Sequence, residues 1–167
     1  MSRSFVTAFF LALAALLAMP SESAAQRIGV HTGLNFDGTD LMFGGQAQFG
    51  INLGERDAIG QVGFDIYPLI KDTFVSRVNV NVLFDLLASA GAEIYGGGGL
   101  MVQMSRFDVP EGVNIDETDT DFGINLVGGI VLSGADRRYR PFVELNQTIG
   151  GGTGFAVRGG VFLKLTK

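Results

Sequence analysis

The 167-residue sequence contains no cysteine, which excludes disulfide bridges and thiolate metal sites. It also carries little charge, since Asp, Glu, Lys and Arg make up 17% of the residues, against roughly 25% in an average protein. The formal net charge of −5 argues against a nucleic-acid partner, which would require a basic surface. The fold itself must therefore supply the stability of the chain.

The N-terminus holds the one long apolar run of the sequence. Arg3 precedes an apolar segment at residues 5–19, and Ser23-Ala24-Ala25 offers the small residues that a signal peptidase reads. We expect residues 1–25 to be a cleaved signal peptide and residues 26–167 to be one mature domain, with an uncleaved anchor as the alternative. Later apolar stretches are too short for a transmembrane helix, so the mature chain would enter a membrane as a closed barrel.

The mature sequence is patterned with a period of two. From Val78 to Leu86 every second residue is apolar, and the residues between them include two asparagines and an aspartate. Such alternation is typical of a two-faced β-strand. The full stretch, Phe74 to Leu86, is long for a globular strand but suits a tilted membrane-spanning strand.

Alternation of this kind recurs in eight segments joined by short connections. Short connections join only antiparallel neighbours, and a closed barrel satisfies the backbone groups of every strand. The sequence therefore predicts an all-β fold, an eight-stranded antiparallel up-and-down barrel. Phe142 and Phe162 do not fit the pattern, because each falls on the polar face of its strand. The predicted strands are residues 28–36, 42–53, 58–67, 74–86, 91–106, 121–133, 139–149 and 153–165.

The apolar face of the predicted strands is assigned to the outside. A soluble barrel has an apolar interior and a membrane barrel has an apolar exterior, and alternation alone does not separate them. The polar face is mostly Gly, Asn, Gln and Thr, whereas a water-facing surface would carry more Lys and Glu. With a periplasmic N-terminus, five aromatic residues gather at one rim on the apolar face, as in the aromatic girdle of an outer-membrane barrel. They are Phe36, Phe43, Phe74, Phe122 and Phe155.

This pattern resembles the small eight-stranded outer-membrane barrels of the OmpA transmembrane domain, OmpX and opacity-protein type. The resemblance covers nearly all of the mature chain and implies a transmembrane barrel in the cell outer membrane, surrounded by outer-membrane lipid. The chain departs from that group at its end, where Leu165-Thr166-Lys167 stands in place of the terminal aromatic residue that the assembly machinery reads. We expect a monomer.

Parity places eight charged side chains in the barrel interior, four of each sign. Because a buried unpaired charge is very costly, we expect them to pair. Asp65 and Arg77 are equidistant from position 71, and Glu144 and Arg158 are equidistant from Gly151, so each pair can be directly opposed across a hairpin. We interpret these pairs as a structural plug, with a charged gate in a small pore as the alternative. The eight are Asp65, Asp85, Glu93, Glu144, Arg77, Arg140, Arg158 and Lys164.

Three features are candidates for chemistry and each has a plainer interpretation. His31 is expected inside the barrel without a nearby serine, so it is interpreted as a satisfied interior side chain and not as a catalytic residue. The glycine run Gly96–Gly99 lacks a phosphate-loop pattern and indicates close approach or bending. The carboxylates of residues 116–121 are conceivable calcium ligands, but their spacing is not that of an EF-hand and favours a solvated loop.

Taken together, the sequence predicts an integral outer-membrane protein that is not an enzyme and needs no cofactor or metal. Its expected role is structural, or contact with an external partner through the loop at residues 107–120. The alternatives are a small-conductance channel, a lipid-modifying enzyme, and a soluble periplasmic barrel that binds a small hydrophobic ligand.

Overall fold

The chain forms eight antiparallel strands in one closed barrel. The structure, a computed structural model, describes residues 27–38, 40–54, 56–68, 73–89, 91–107, 118–132, 138–151 and 154–165. The predicted signal peptide and most of the long connection lie outside these residues. The strands are β1 (Arg27–Asn35), β2 (Asp40–Asn52), β3 (Asp57–Tyr67), β4 (Thr73–Ala88), β5 (Ala92–Phe107), β6 (Thr118–Leu132), β7 (Tyr139–Gly150) and β8 (Gly154–Lys164).

Each strand pairs with its neighbours in the chain, and the barrel closes between its first and last strands. Arg27 at the start of β1 lies opposite Lys164 at the end of β8. Closure leaves no unpaired strand edge, so the backbone groups of every strand are satisfied within the ladder. The predicted all-β, eight-stranded antiparallel barrel is confirmed. In the described part of the chain, no helix is long and apolar enough to cross a membrane.

The strands around the long connection are longer than predicted. The ladder between β5 and β6 continues up to the pair Arg106 and Thr118, so residues 118–120 are strand and not loop. The sequence of these residues is polar and does not predict a strand. The strand continues because each added pair forms backbone hydrogen bonds, which do not depend on the side-chain pattern. At the opposite end of the barrel, Gly54 adopts a positive φ of 76° in the turn that Leu53 N closes by donating to Arg56 O at 3.0 Å.

The end of β4 contains a β-bulge and differs from one prediction. The register with β5 shifts between Asp85 and Leu87, which ends the regular alternation of the two faces. Asp85, predicted to lie in the interior, is instead exposed to solvent. The ladder between β3 and β4 ends at Leu83, so Asp85 lies beyond the part of β4 that is paired on both sides.

The interior is packed in layers along the barrel axis. We call the end at which the odd-numbered strands begin the lower end, and the opposite end the upper end. The lower apolar cluster consists of Leu83, Tyr95, Val127, Val131, Phe142 and Phe162. The upper apolar cluster consists of Met42, Tyr67, Val75 and Ala156. Polar and charged side chains lie between the two clusters.

Candidate functional site

The carboxylate of Glu144 is the centre of the polar network in the interior. It is fully buried, and its Oε2 accepts hydrogen bonds from the hydroxyl of Tyr95 and from Nε2 of Gln61, each at 2.8 Å. Glu144 lies on β7, Tyr95 on β5 and Gln61 on β3, so these bonds cross the interior instead of following the hairpins. They tie three parts of the barrel wall together across its axis.

Arg158 stands between two buried carboxylates. Its Nη1 lies 3.6 Å from Oε1 of Glu144 and 3.6 Å from Oδ2 of Asp65. The register places Glu144 directly opposite Arg158, in agreement with the hairpin spacing in the sequence. Since Arg158 is only 2% exposed, its charge is compensated by protein groups and not by water.

Asp65 joins the network on its other side. Its Oδ1 lies 2.7 Å from Nε2 of His31, and its Oδ2 accepts a hydrogen bond from Nδ2 of Asn79 at 2.8 Å. The side chains of His31 and Asp65 are both fully buried. Gly44 lies opposite each of them in the register and leaves them room, because a Cβ at this position would lie 2.6 Å from Asp65 Oδ1. His31 thus contributes to the packed interior of the barrel.

Asn79 continues the network through a chain of amides and a hydroxyl on the opposite wall. Its Oδ1 accepts a hydrogen bond from Nδ2 of Asn125 at 2.8 Å, and Oδ1 of Asn125 accepts one from Oγ1 of Thr148 at 3.0 Å. Nδ2 of Asn81 donates to Oε1 of Gln61 at 2.7 Å. These neutral polar side chains are all at most 2% exposed and fill the space that the ionic groups leave.

A second ionic group lies at the lower end. Glu93 accepts from Nη1 of Arg27 at 2.7 Å and from Nη1 of Arg140 at 2.6 Å. The side chain of Glu93 is 25% exposed, so this group is nearer to solvent than the central network. Arg27 is not among the predicted interior charges, because the predicted first strand begins at residue 28. The same parity that places His31 inside identifies Arg27 as an interior residue.

Arg77 lies in the upper part of the interior. The register places it directly opposite Asp65, as the sequence spacing predicted. Its Nη2 donates to Oε1 of Gln103 at 2.7 Å, and its guanidinium lies 5.3 Å from the ring centroid of Tyr67. A cation over an aromatic face is a favourable contact that strengthens when it is shielded from water. Arg77 thus connects the charged centre to the upper apolar cluster.

The outer wall carries the apolar side chains. Val30 is 68% exposed, Leu100 is 67% exposed and Ile124 is 55% exposed, although all three lie in the middle of strands. The five predicted girdle aromatics are exposed and lie near the upper ends of their strands, and their role at a membrane interface stays a prediction. Their exposed fractions are 57% for Phe36, 43% for Phe43, 51% for Phe74, 71% for Phe122 and 37% for Phe155.

The barrel has polar groups inside and apolar groups outside, and its fold is similar to that of several solved structures. The chain has the fold of small outer-membrane barrels. The N-terminal β-barrel domain of Pseudomonas aeruginosa OprF matches it with a TM-score of 0.63 and 14% sequence identity, over 84% of this chain and 97% of that one. Ail, the attachment invasion locus protein of Yersinia pestis, matches with a TM-score of 0.61 and 11% identity, over 84% and 95%.

A third structure of the same kind is Neisserial surface protein A, with a TM-score of 0.52, 11% identity, and coverage of 84% of this chain and 95% of that one. No protein-family model matches this chain, and no curated protein matches it. The likeness is therefore one of fold, and it agrees with the alternating residue pattern of the sequence.

Among the described residues, no group of three His, Asp or Glu side chains is arranged to hold a metal ion. Residues 118–121 of the acidic segment belong to β6, and residues 116 and 117 lie outside the described chain. What the interior arrangement does chemically is to pair charges and to fill the space around the barrel axis.

Proposed function

We propose that this chain is an integral outer-membrane protein whose barrel spans the membrane and whose N-terminal 25 residues are removed on export. One observation carries the proposal: the polarity of the barrel is inverted relative to a soluble protein. Arg158, Asp65 and Glu144 are at most 2% exposed, whereas the mid-strand outer wall is apolar and open. A contiguous apolar belt of this extent is rare on a soluble monomer and suits contact with lipid chains.

The soluble alternative requires the opposite interior. A periplasmic barrel that binds a small hydrophobic ligand would line its cavity with apolar side chains. Here the centre of the interior contains an ionic and amide network instead, with apolar clusters at either end. This arrangement supports the membrane barrel against that alternative.

Fractionation of cells that express the full-length chain tests the location. We expect recovery in the outer membrane and a band in detergent gels that shifts when the sample is boiled, since a closed barrel resists unfolding by detergent alone. Quantitative recovery in the soluble periplasmic fraction would overturn the proposal.

We further propose that the barrel does not conduct ions and that its interior is a structural plug. The support is the layered interior, in which the buried ion pairs of Asp65, Glu144 and Arg158 lie between two apolar clusters. An eight-stranded barrel is also just wide enough for its side chains to fill it. Planar bilayers with inserted protein should show no single-channel steps, and reproducible steps would favour the small-conductance channel.

A non-enzymatic role is supported by the state of the single histidine. The side chain of His31 is fully buried and Nε2 lies 2.7 Å from Asp65, an acidic partner that holds it in place. A general base must reach its substrate, and a substrate would have to enter the packed interior to meet this one. A lipid-processing activity that is lost in a His31→Ala variant with an intact gel shift would contradict this proposal.

For the surface role, we propose that the long loop contacts an external partner with a cationic face. Residues 107–120 contain five acidic residues and no Lys or Arg. One structure of Ail contains the heparin analogue sucrose octasulfate, with a TM-score of 0.53 to this chain. An acidic loop repels such a polyanion, so the partner of this loop should carry positive charge instead. Proteoliposomes should bind polylysine-coated beads and not heparin-coated beads, and neutralising the five acids should abolish the binding. Equal binding by the neutralised loop would overturn this role.

A further inference from the structure

A groove lies on the outer wall at the lower end of β7 and β8. It is open to the surroundings, has a volume of about 310 Å³, and is lined by Arg138, Tyr139, Pro141 and Val161. Pro141 lies directly opposite Val161 in the ladder, so the two form the floor of the groove. Tyr139 is 63% exposed beside them. The groove thus combines one cation and one phenol with an apolar floor.

The groove continues upward along the wall. The next outward-facing pair above Pro141 and Val161 is Val143 with Gly159. A Cβ at Gly159 would meet nothing closer than the carbonyl oxygen of Phe142 at 4.0 Å, so this position is open space. Val143 is 49% exposed next to it. A flexible apolar chain that starts at Tyr139 can therefore lie along the barrel wall over Gly159.

The rim of the groove is cationic. Arg138 is exposed, and in the described part of the chain no carboxylate forms an ion pair with it. The backbone N of Lys164 donates to Arg138 O at 3.1 Å, which fixes the backbone of Arg138 against the end of β8. In the sequence, Arg137 directly precedes Arg138, and Asp136 precedes both. The turn between β2 and β3 differs, because Glu55 and Asp57 flank its single Arg56.

We propose that this groove binds an anionic phospholipid, with the phosphate at Arg138 and one acyl chain over Pro141 and Gly159. Guanidinium groups match the geometry of phosphate, and basic sites beside membrane spans select anionic head groups. Tyrosine is favoured at the level of the head groups, where Tyr139 would lie. The inference rests on the proposed membrane location, since only a barrel in lipid presents this wall to acyl chains.

Native mass spectrometry of the folded barrel tests the head-group contact. The barrel is released from detergent micelles that contain equal amounts of phosphatidylglycerol and phosphatidylcholine, and the bound lipids are counted. We expect a preference for phosphatidylglycerol of about fivefold, since one basic residue near an anionic lipid contributes about that factor. Arg138→Gln should abolish the preference, so that the two lipids are retained in a ratio of about one. Arg56→Gln, in the lower turn between β2 and β3, should leave it unchanged.

A second pair of variants tests the acyl-chain contact. Gly159→Leu fills the groove and should lower the retention of both lipids. Gly128→Leu is the matched control, because Gly128 is an outer-wall glycine of β6 whose added Cβ also meets nothing within 4 Å. Soluble glycerol phosphate should fail to displace the bound lipid, because it lacks the acyl chain.

Three results would overturn the site: no lipid preference in the unchanged barrel, an unchanged preference in Arg138→Gln, or displacement by glycerol phosphate alone. Insertion of the same protein into vesicles, scored by the boiling-dependent gel shift, separates this inference from the proposed function. A barrel that inserts without lipid preference overturns the site alone. A barrel that does not insert overturns both.

Discussion

The rings of Phe142 and Phe162 stack inside the barrel, with centroids 4.3 Å apart and planes inclined by 28°. These are the two residues that break the alternation of the sequence, and they meet on neighbouring strands. Gly29, opposite Phe162, makes room for this ring, because a Cβ there would lie 2.8 Å from it. The guanidinium of Arg27 covers the Phe162 ring at 4.9 Å. The two irregularities are one packed feature of the lower apolar cluster.

Phe162→Ala should lower the free energy of unfolding by about 3–5 kcal/mol, the usual cost of removing a buried aromatic side chain. The matched control is Phe122→Ala on the outer wall, where Phe122 is 71% exposed and, in the proposed membrane location, lipid replaces the lost contacts. We expect the control to lose less than about a third as much. Urea titration of the vesicle-inserted barrel, followed by the gel shift, measures both. Equal losses would contradict the assignment of the two faces.

Arg158→Glu should prevent folding or destabilise the barrel by more than about 3–5 kcal/mol, since three carboxylates would then share a site without water. Adding Glu144→Arg restores an opposed pair and should recover part of the folded yield. Recovery stays partial because Arg158 also lies 3.6 Å from Asp65, which loses its cation. Refolding yield from urea is the measurement, and no recovery in the double variant would disprove the pairing.

Glu144→Gln should cost far more stability than Glu93→Gln. Glu144 is fully buried and shares the compensation of Arg158 with Asp65, each at 3.6 Å. Its neutralisation removes one of the two carboxylates from a buried cation, at about 3–5 kcal/mol. The Glu93 side chain is 25% exposed, and water can solvate Arg27 and Arg140 after its neutralisation, at about 1 kcal/mol or less. Urea midpoints of the two variants provide the comparison. A reversed order would show that burial does not set the strength of these pairs.

Gly99→Ala should block folding, whereas Gly128→Ala should have almost no effect. A Cβ at Gly99 would overlap the carbonyl oxygen of Val80 and lie 2.6 Å from the Cα of Asn81, and backbone atoms cannot move aside cheaply. A Cβ at Gly128 meets open space. The folded fraction after dilution into detergent, read from the gel shift, distinguishes the two. This difference would also confirm that the glycine run Gly96–Gly99 serves close approach of neighbouring strands.

Most of the barrel wall could be predicted because its determinants are local. Alternation fixes which face each strand presents, and a short hairpin turn fixes the register of the two strands that it joins. That is why counting along the chain placed Asp65 opposite Arg77 and Glu144 opposite Arg158. The same counting failed for Asp85, because β4 continues beyond the end of its ladder with β3 at Leu83, and the extent of a ladder is set by the pairing of two strands.

The contacts across the interior could not be predicted from the sequence. Tyr95 and Glu144 lie on strands that are not neighbours, and only closure of the barrel brings the hydroxyl to the carboxylate. Arg158 was assigned one partner by hairpin counting and lies equally close to a second, because β3 and β8 face each other across a narrow interior. Alternation and turn spacing thus determined the strands, their faces and their hairpin registers. The closed tertiary structure decided which buried charges meet, since the circumference of eight strands sets the distance across the barrel.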